Sequence, residues 1–125
     1  ALRPYLASLG LPMSILTNSP MSHASRLLDF YGITDLFDGV YDITWQKTRG
    51  KPYPESYLDA LADAGFSVAE TLFVDDHPKY ARGYKAVGGK AVLVDETGRH
   101  AELAREEGFG HIPSIYALAP LLANY

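Results

Sequence analysis

Thr71-Leu72-Phe73-Val74-Asp75-Asp76-His77-Pro78 is the stretch on which the fold turns. A short run of β-favouring residues enters a pair of carboxylates, and Pro78 follows where a helix can open. The spacing predicts a strand over Thr71 to Val74 and a helix from Pro78 through Ala86, ended by Gly88-Gly89. Toward the C-terminus, Ala91 to Val94 reads as another strand and Ala101 to Glu107 as a charged, exposed helix. A last apolar turn or helix covers Ile115 to Leu122. Toward the N-terminus, Pro54 opens a helix with the apolar face Tyr57, Leu58, Leu61 and Ala64, closed by Gly65. Gly39 to Ile43 is a weaker strand, Ser22 to Tyr31 a helix stopped by Gly32, Met13 to Leu16 a short buried strand, and Leu2 to Leu9 a helix. Strands and helices in alternation imply an α/β fold: a three-layer parallel sheet with helices on both faces and right-handed crossovers.

Composition narrows the function classes. The formal net charge of -4 gives no electrostatic reason to expect a nucleic-acid partner. No apolar run approaches the roughly 20 residues needed to cross a bilayer, so no membrane association is expected. The absence of cysteine excludes thiolate chemistry and agrees with a reducing, cytoplasmic setting. The chain opens on Ala1 inside an apolar helical segment, so the natural start of the gene product is expected upstream.

In a parallel α/β sheet, ligands gather outside the carboxyl ends of the strands. The polar residues there are Thr17-Asn18-Ser19, Asp42, Asp75-Asp76-His77 and Asp95. Adjacent carboxylates such as Asp75 and Asp76 repel each other and call for a cation or hydrogen-bond donors. A hard divalent cation such as Mg²⁺ takes a few carboxylate oxygens and keeps positions for water and a phosphate. Asp76 or His77, just ahead of Pro78, also suits capping of that helix. Thr17 and Asn18 offer a hydroxyl, an amide and backbone N–H groups to a phosphate, or a cap to the next helix. Lys51, ahead of Pro52 and Pro54, is either a solvated lysine or a compact cation that neutralises phosphate charge.

Ser14-Ile15-Leu16-Thr17-Asn18, Gly50-Lys51-Pro52-Tyr53-Pro54 and Leu72-Phe73-Val74-Asp75-Asp76 resemble, in that order, the second, third and fourth motifs of the haloacid dehalogenase-like superfamily. Tyr31-Gly32-Ile33-Thr34-Asp35-Leu36-Phe37-Asp38-Gly39 resembles the subgroup whose cap is inserted after the first motif, nearest the pyrimidine 5′-nucleotidase-like branch. The resemblance covers roughly Leu2 to Glu96 and implies a Rossmann-like core, with residues 1–125 forming a fragment of that core domain. It implies that Thr17 and Asn18 hold a transferring phosphoryl group and that Lys51 bridges it to the nucleophile. Asp76 would ligate Mg²⁺ directly, with Asp75 as a second or water-mediated ligand. The implied activity is hydrolysis of a small phosphomonoester, conceivably a nucleoside monophosphate, through an aspartyl-phosphate.

One departure bears on that expectation. The family's nucleophile ends a strand in Asp-x-Asp, and no such string occurs here. The central first strand and the cap are therefore expected to lie outside this sequence, with an upstream segment or another chain completing the sheet. This chain alone is expected to be inactive. The four strands should then fall into more than one sheet. A sugar-phosphate phosphomutase and a non-catalytic binding or regulatory domain are the alternative readings. His77 either faces the site or is a helix-start histidine. His23, His100 and His111 lie apart with no ligand spacing, and Trp45 reads as a packing aromatic.

Overall fold

A computed structural model describes residues 1–47 and 49–125. The chain divides into two compact units, Ala1–Phe66 and Ser67–Tyr125.

The first unit runs α1 (Leu2–Ser8), β1 (Ser14–Leu16), α2 (Met21–Tyr31), a 3-10 turn (Thr34–Leu36), β2 (Gly39–Tyr41) and α3 (Pro54–Ala64). Both longer helices end as their glycines dictate. Gly65 sits in the left-handed region at φ 81°, where its N–H reaches Ala62 O and Phe66 N–H reaches Leu61 O. Gly32 closes α2 in the same way at φ 66°. β1 and β2 pair in parallel, with Ile15 opposite Val40. Leu6, Ala24, Leu28, Ile33, Tyr57 and Ala60 are buried, and Tyr57 is only 1% exposed. Tyr41 is buried too and donates its hydroxyl to Asp63 Oδ2 at 2.8 Å. Burial, reinforced by the Asp63 carboxylate, pushes the Tyr41 phenol up to about 12.

The second unit runs β3 (Leu72–Asp75), α4 (Pro78–Ala86), β4 (Lys90–Val94), α5 (Ala101–Glu107), β5 (Gly110–Ile112), a 3-10 turn (Ile115–Ala117) and α6 (Leu118–Leu122). Its sheet has the order β3-β4-β5, all parallel, with Val74 opposite Val92 and Val94 opposite Ile112. β4 is central and buried, as its unbroken apolar run requires. Ala81, Ala91, Leu93, Ala104 and Phe109 form its core, with Phe73 and Leu103 packed against them.

Parallel strands alternating with helices confirm the α/β class, and the strands form two sheets, as expected. Two readings need correction. β5 carries no sequence signal, because three residues, Gly110-His111-Ile112, are too few to show a period. Their pairing with β4 makes the strand. The helix at Ala101 is not wholly exposed: Ala104 faces the core at 1% exposure. Among the described residues, no helix is long and apolar enough to cross a membrane.

Candidate functional site

The expected site residues fall into two groups, Thr17, Asn18 and Lys51 in the first unit and Asp75 and Asp76 in the second.

Thr17 and Asn18 follow β1 directly. Thr17 N–H donates to Tyr41 O at 3.0 Å, which continues the ladder, and Thr17 Oγ1 accepts from Ser19 N–H at 3.1 Å. Neither residue caps α2. The helix has no side-chain cap of its own, and Met21 N–H donates instead to Asp42 Oδ2 at 2.9 Å. Capping by Asp42, from the end of β2, removes the structural duty that Thr17 and Asn18 were equally suited to.

Asn18 clamps the main chain of Lys51 from both sides. Its Oδ1 accepts from Lys51 N–H at 2.8 Å and its Nδ2 donates to Lys51 O at 3.1 Å. The reading of Lys51 as a solvated lysine is corrected here, since the residue is only 9% exposed. Its main chain is held on both sides by Asn18, so the position of the residue is fixed by the fold. The Lys51–Pro52 peptide is cis.

Gly50 makes the clamp possible. Its φ is +74°, and a Cβ there would lie 2.8 Å from Asn18 Oδ1 and 2.9 Å from Ile43 Cδ1. Gly50→Ala in the full-length protein should therefore spread the Asn18–Lys51 contact. The backbone strain alone costs on the order of 1 kcal/mol. A fall in melting temperature larger than that for a glycine replaced where a Cβ meets nothing would show that the clamp has been spread.

Gln46 was missed, and no sequence signal marks it. It is 6% exposed, and its Nε2 donates to Thr17 O at 2.7 Å, Asp42 O at 3.1 Å and Tyr41 O at 3.3 Å. One side-chain amide thus ties the ends of β1 and β2 together behind Thr17.

In the second unit Asp75 is the last residue of β3 and Asp76 follows it, exposed. Asp75 Oδ1 accepts from His77 N–H at 3.0 Å. The Asp76 carboxyl is held above its ordinary range, first by a hydrogen bond with the Asp75 side chain, then by desolvation and the Asp75 charge. Capping of α4 falls to His77, whose Nδ1 accepts from Lys79 N–H at 3.2 Å. The histidine is structural, as a helix-start residue, and Asp75 accepts from its N–H.

Asp95, at the end of β4, belongs to the framework. It is 5% exposed, accepts from His100 N–H at 2.9 Å and lies 2.7 Å from His111 Nε2. The hydrogen bond with His111 holds its carboxyl below the ordinary value.

The donor set suits a hard cation. Two carboxylates at a strand end that compete for one proton would be relieved by Mg²⁺, which prefers oxygen ligands. Among the described residues, no group of three or more His, Asp or Glu could hold a metal unaided. Asp75 and Asp76 could therefore supply at most two carboxylates toward such a cation.

The model of the haloacid dehalogenase-like hydrolase family matches residues 4–88. A phosphatase of Mycobacterium tuberculosis is 35% identical over 92 residues, covering 72% of this chain and 42% of the relative. The phosphoglycolate phosphatase of Pectobacterium atrosepticum is 32% identical over 90 residues, covering 70% of this chain and 37% of the relative. The chain thus spans well under half the length of these curated relatives. Among solved structures, a phosphatase of the same superfamily from Thermococcus onnurineus superposes with a TM-score of 0.78 at 25% identity, over 95% of this chain and 54% of that one. The L-2-haloacid dehalogenase of Xanthobacter autotrophicus, at 24% identity, shares the fold with a TM-score of 0.80, over 96% of this chain and 58% of that one. With the family match extending over more than half of its residues, on a parallel α/β framework, this chain belongs to the haloacid dehalogenase-like hydrolases.

Proposed function

We propose that the chain supplies the phosphoryl-holding and metal-holding residues of a cytoplasmic, Mg²⁺-dependent phosphatase that acts on a small phosphomonoester. The nucleophilic aspartate, the cap and the strand that completes the sheet would come from residues outside this sequence. The carboxylate pair ending β3 carries the reading: Asp76 is held above its ordinary range beside Asp75, and neither caps the following helix.

The roles follow from the chemistry of each group. Phosphoryl transfer asks for positioning and for neutralisation of the equatorial oxygens more than for covalent work by the protein. The Thr17 hydroxyl and the Asn18 main chain would hold the phosphoryl oxygens. The Asn18 side chain is already committed to Lys51. Lys51, fixed through its main chain, would neutralise charge between the phosphoryl group and the attacking carboxylate. Asp76 would be the direct Mg²⁺ ligand and Asp75 the second or water-mediated one. Bound Mg²⁺ would supply charge neutralisation at the phosphoryl oxygens.

The named phosphatases among the relatives support hydrolysis over phosphoryl transfer between sugar positions. A nucleoside monophosphate substrate and the pyrimidine nucleotidase-like, cap-inserted branch rest on the Tyr31 to Gly39 string. The full-length protein should hydrolyse p-nitrophenyl phosphate with Mg²⁺. Chelation should lower turnover by about a hundredfold or more, and added Mg²⁺ should restore it. Turnover indifferent to chelation would refute the metal role.

A further inference from the structure

We infer that the groove between α4 and the start of α5 is an anion subsite, so that the preferred substrates carry a second anionic group. This rests on the phosphatase reading, because the subsite matters only if Asp76 marks the reacting end. The groove is an open surface concavity with a volume of about 530 Å³. Asp76, Lys79, Arg82 and Arg99 line it together with His100 and Leu103.

Three cations against one carboxylate stand out on a chain whose net charge is -4. They are not equivalent. Arg82 is spent on Glu107, through Nε at 2.8 Å and a terminal nitrogen at 2.7 Å. Lys85 donates to the Glu107 carbonyl, which fixes the same wall. Among the described residues, neither the Lys79 ammonium nor the Arg99 guanidinium has a hydrogen-bond or ion-pair partner. Both are exposed. An unpaired lysine and arginine lining one concavity focus positive potential there, and Arg99 offers the fork that binds a carboxylate or phosphate in bidentate fashion. Asp76, which also lines the groove, repels the same anion unless a cation covers it, so Lys79 and Arg99 are the groups left to attract the anionic tail. A carboxylate or a second phosphate on the tail would meet this chemistry. A neutral tail would leave both cations solvated.

The test compares phosphoglycerate and propanediol bisphosphate with glycerol phosphate on the full-length protein. The first two should be preferred by kcat/KM, and the preference should shrink as salt rises. In the Lys79→Gln, Arg99→Gln double variant the preference should fall by about tenfold, the scale of a lost charge-assisted hydrogen bond. Lys79→Arg should retain most of it. Loss of preference for phosphoglycerate alone would identify a carboxylate as the bound group, and for the bisphosphate alone a phosphate. A wild type without preference, or a preference unmoved in the double variant, would overturn the subsite. Turnover surviving in Asp76→Asn would overturn the underlying reading instead, and a wild type inactive on all three substrates would count against both.

Discussion

Asp76→Asn in the full-length protein should lower Mg²⁺-dependent turnover of p-nitrophenyl phosphate by about a hundredfold or more, the scale of several kcal/mol of lost charge stabilisation. The fold should not suffer. Asp76 is exposed and caps nothing, because α4 is capped by His77. The sign of the pH effect follows from the raised Asp76 carboxyl. Between its ordinary value and the raised one, the folded chain binds more protons than the unfolded chain. The Asp76 contribution to stability therefore falls as pH rises through that window. Above that window the ionised Asp76 meets the neighbouring Asp75 side chain, which disfavours its charge. The metal-free variant should then be at least as stable as the wild type above the window, and the difference should vanish below the ordinary carboxylate range. Urea unfolding at several pH values reads this directly. In the same experiment Mg²⁺ should raise the wild-type melting temperature and leave that of the variant nearly unmoved, since only the wild type keeps the ligand pair. Full turnover by the variant, or a melting shift equal to that of the wild type, would remove Asp76 from the metal site.

Gly89→Ala should give the largest loss of stability. A Cβ at Gly89 would lie 2.1 Å from Tyr84 Cε2 and 2.5 Å from Cζ, distances no real contact adopts. The ring cannot easily yield. Tyr84 is 2% exposed, packs on Phe73 with ring centroids 5.4 Å apart, and donates its hydroxyl to Thr71 O at 2.7 Å. Overpacking of this kind costs about 1–3 kcal/mol, and the anchoring hydrogen bond adds on the order of 1 kcal/mol if it breaks. The sum corresponds to roughly a 10 °C fall in melting temperature for a chain of this size. Gly88→Ala is the control. A Cβ there meets nothing within 4 Å, but φ is +96°, so only backbone strain of about 1 kcal/mol applies. Tyr84→Leu combined with Gly89→Ala should recover part of the loss, because the smaller side chain removes the clash. Equal losses for the two glycines would show that the ring contact is not what excludes a side chain at Gly89.

The local elements were largely written in the sequence because their signals are local. Pro54 and Pro78 are the first residues of their helices, and Gly32, Gly65 and Gly108 end theirs in the left-handed region. The apolar run at Ala91 to Val94 is a buried central strand, and the two carboxylates stand at the carboxyl end of β3 as their position implied. Roles that depend on residues far apart in the chain were not legible. Asp42 caps a helix that begins 21 residues earlier, and Gln46 reaches back 29 residues to Thr17. Lys51 is buried because Asn18, 33 residues away, holds its main chain on both sides. β5 exists only where β4 offers it a ladder. A backbone dihedral preference or a short periodicity acts within a few residues and can be read along the chain. A hydrogen bond across tens of residues forms only after packing has brought both partners together, so pattern gave the elements and tertiary contact decided which polar residues serve structure and which are left for chemistry.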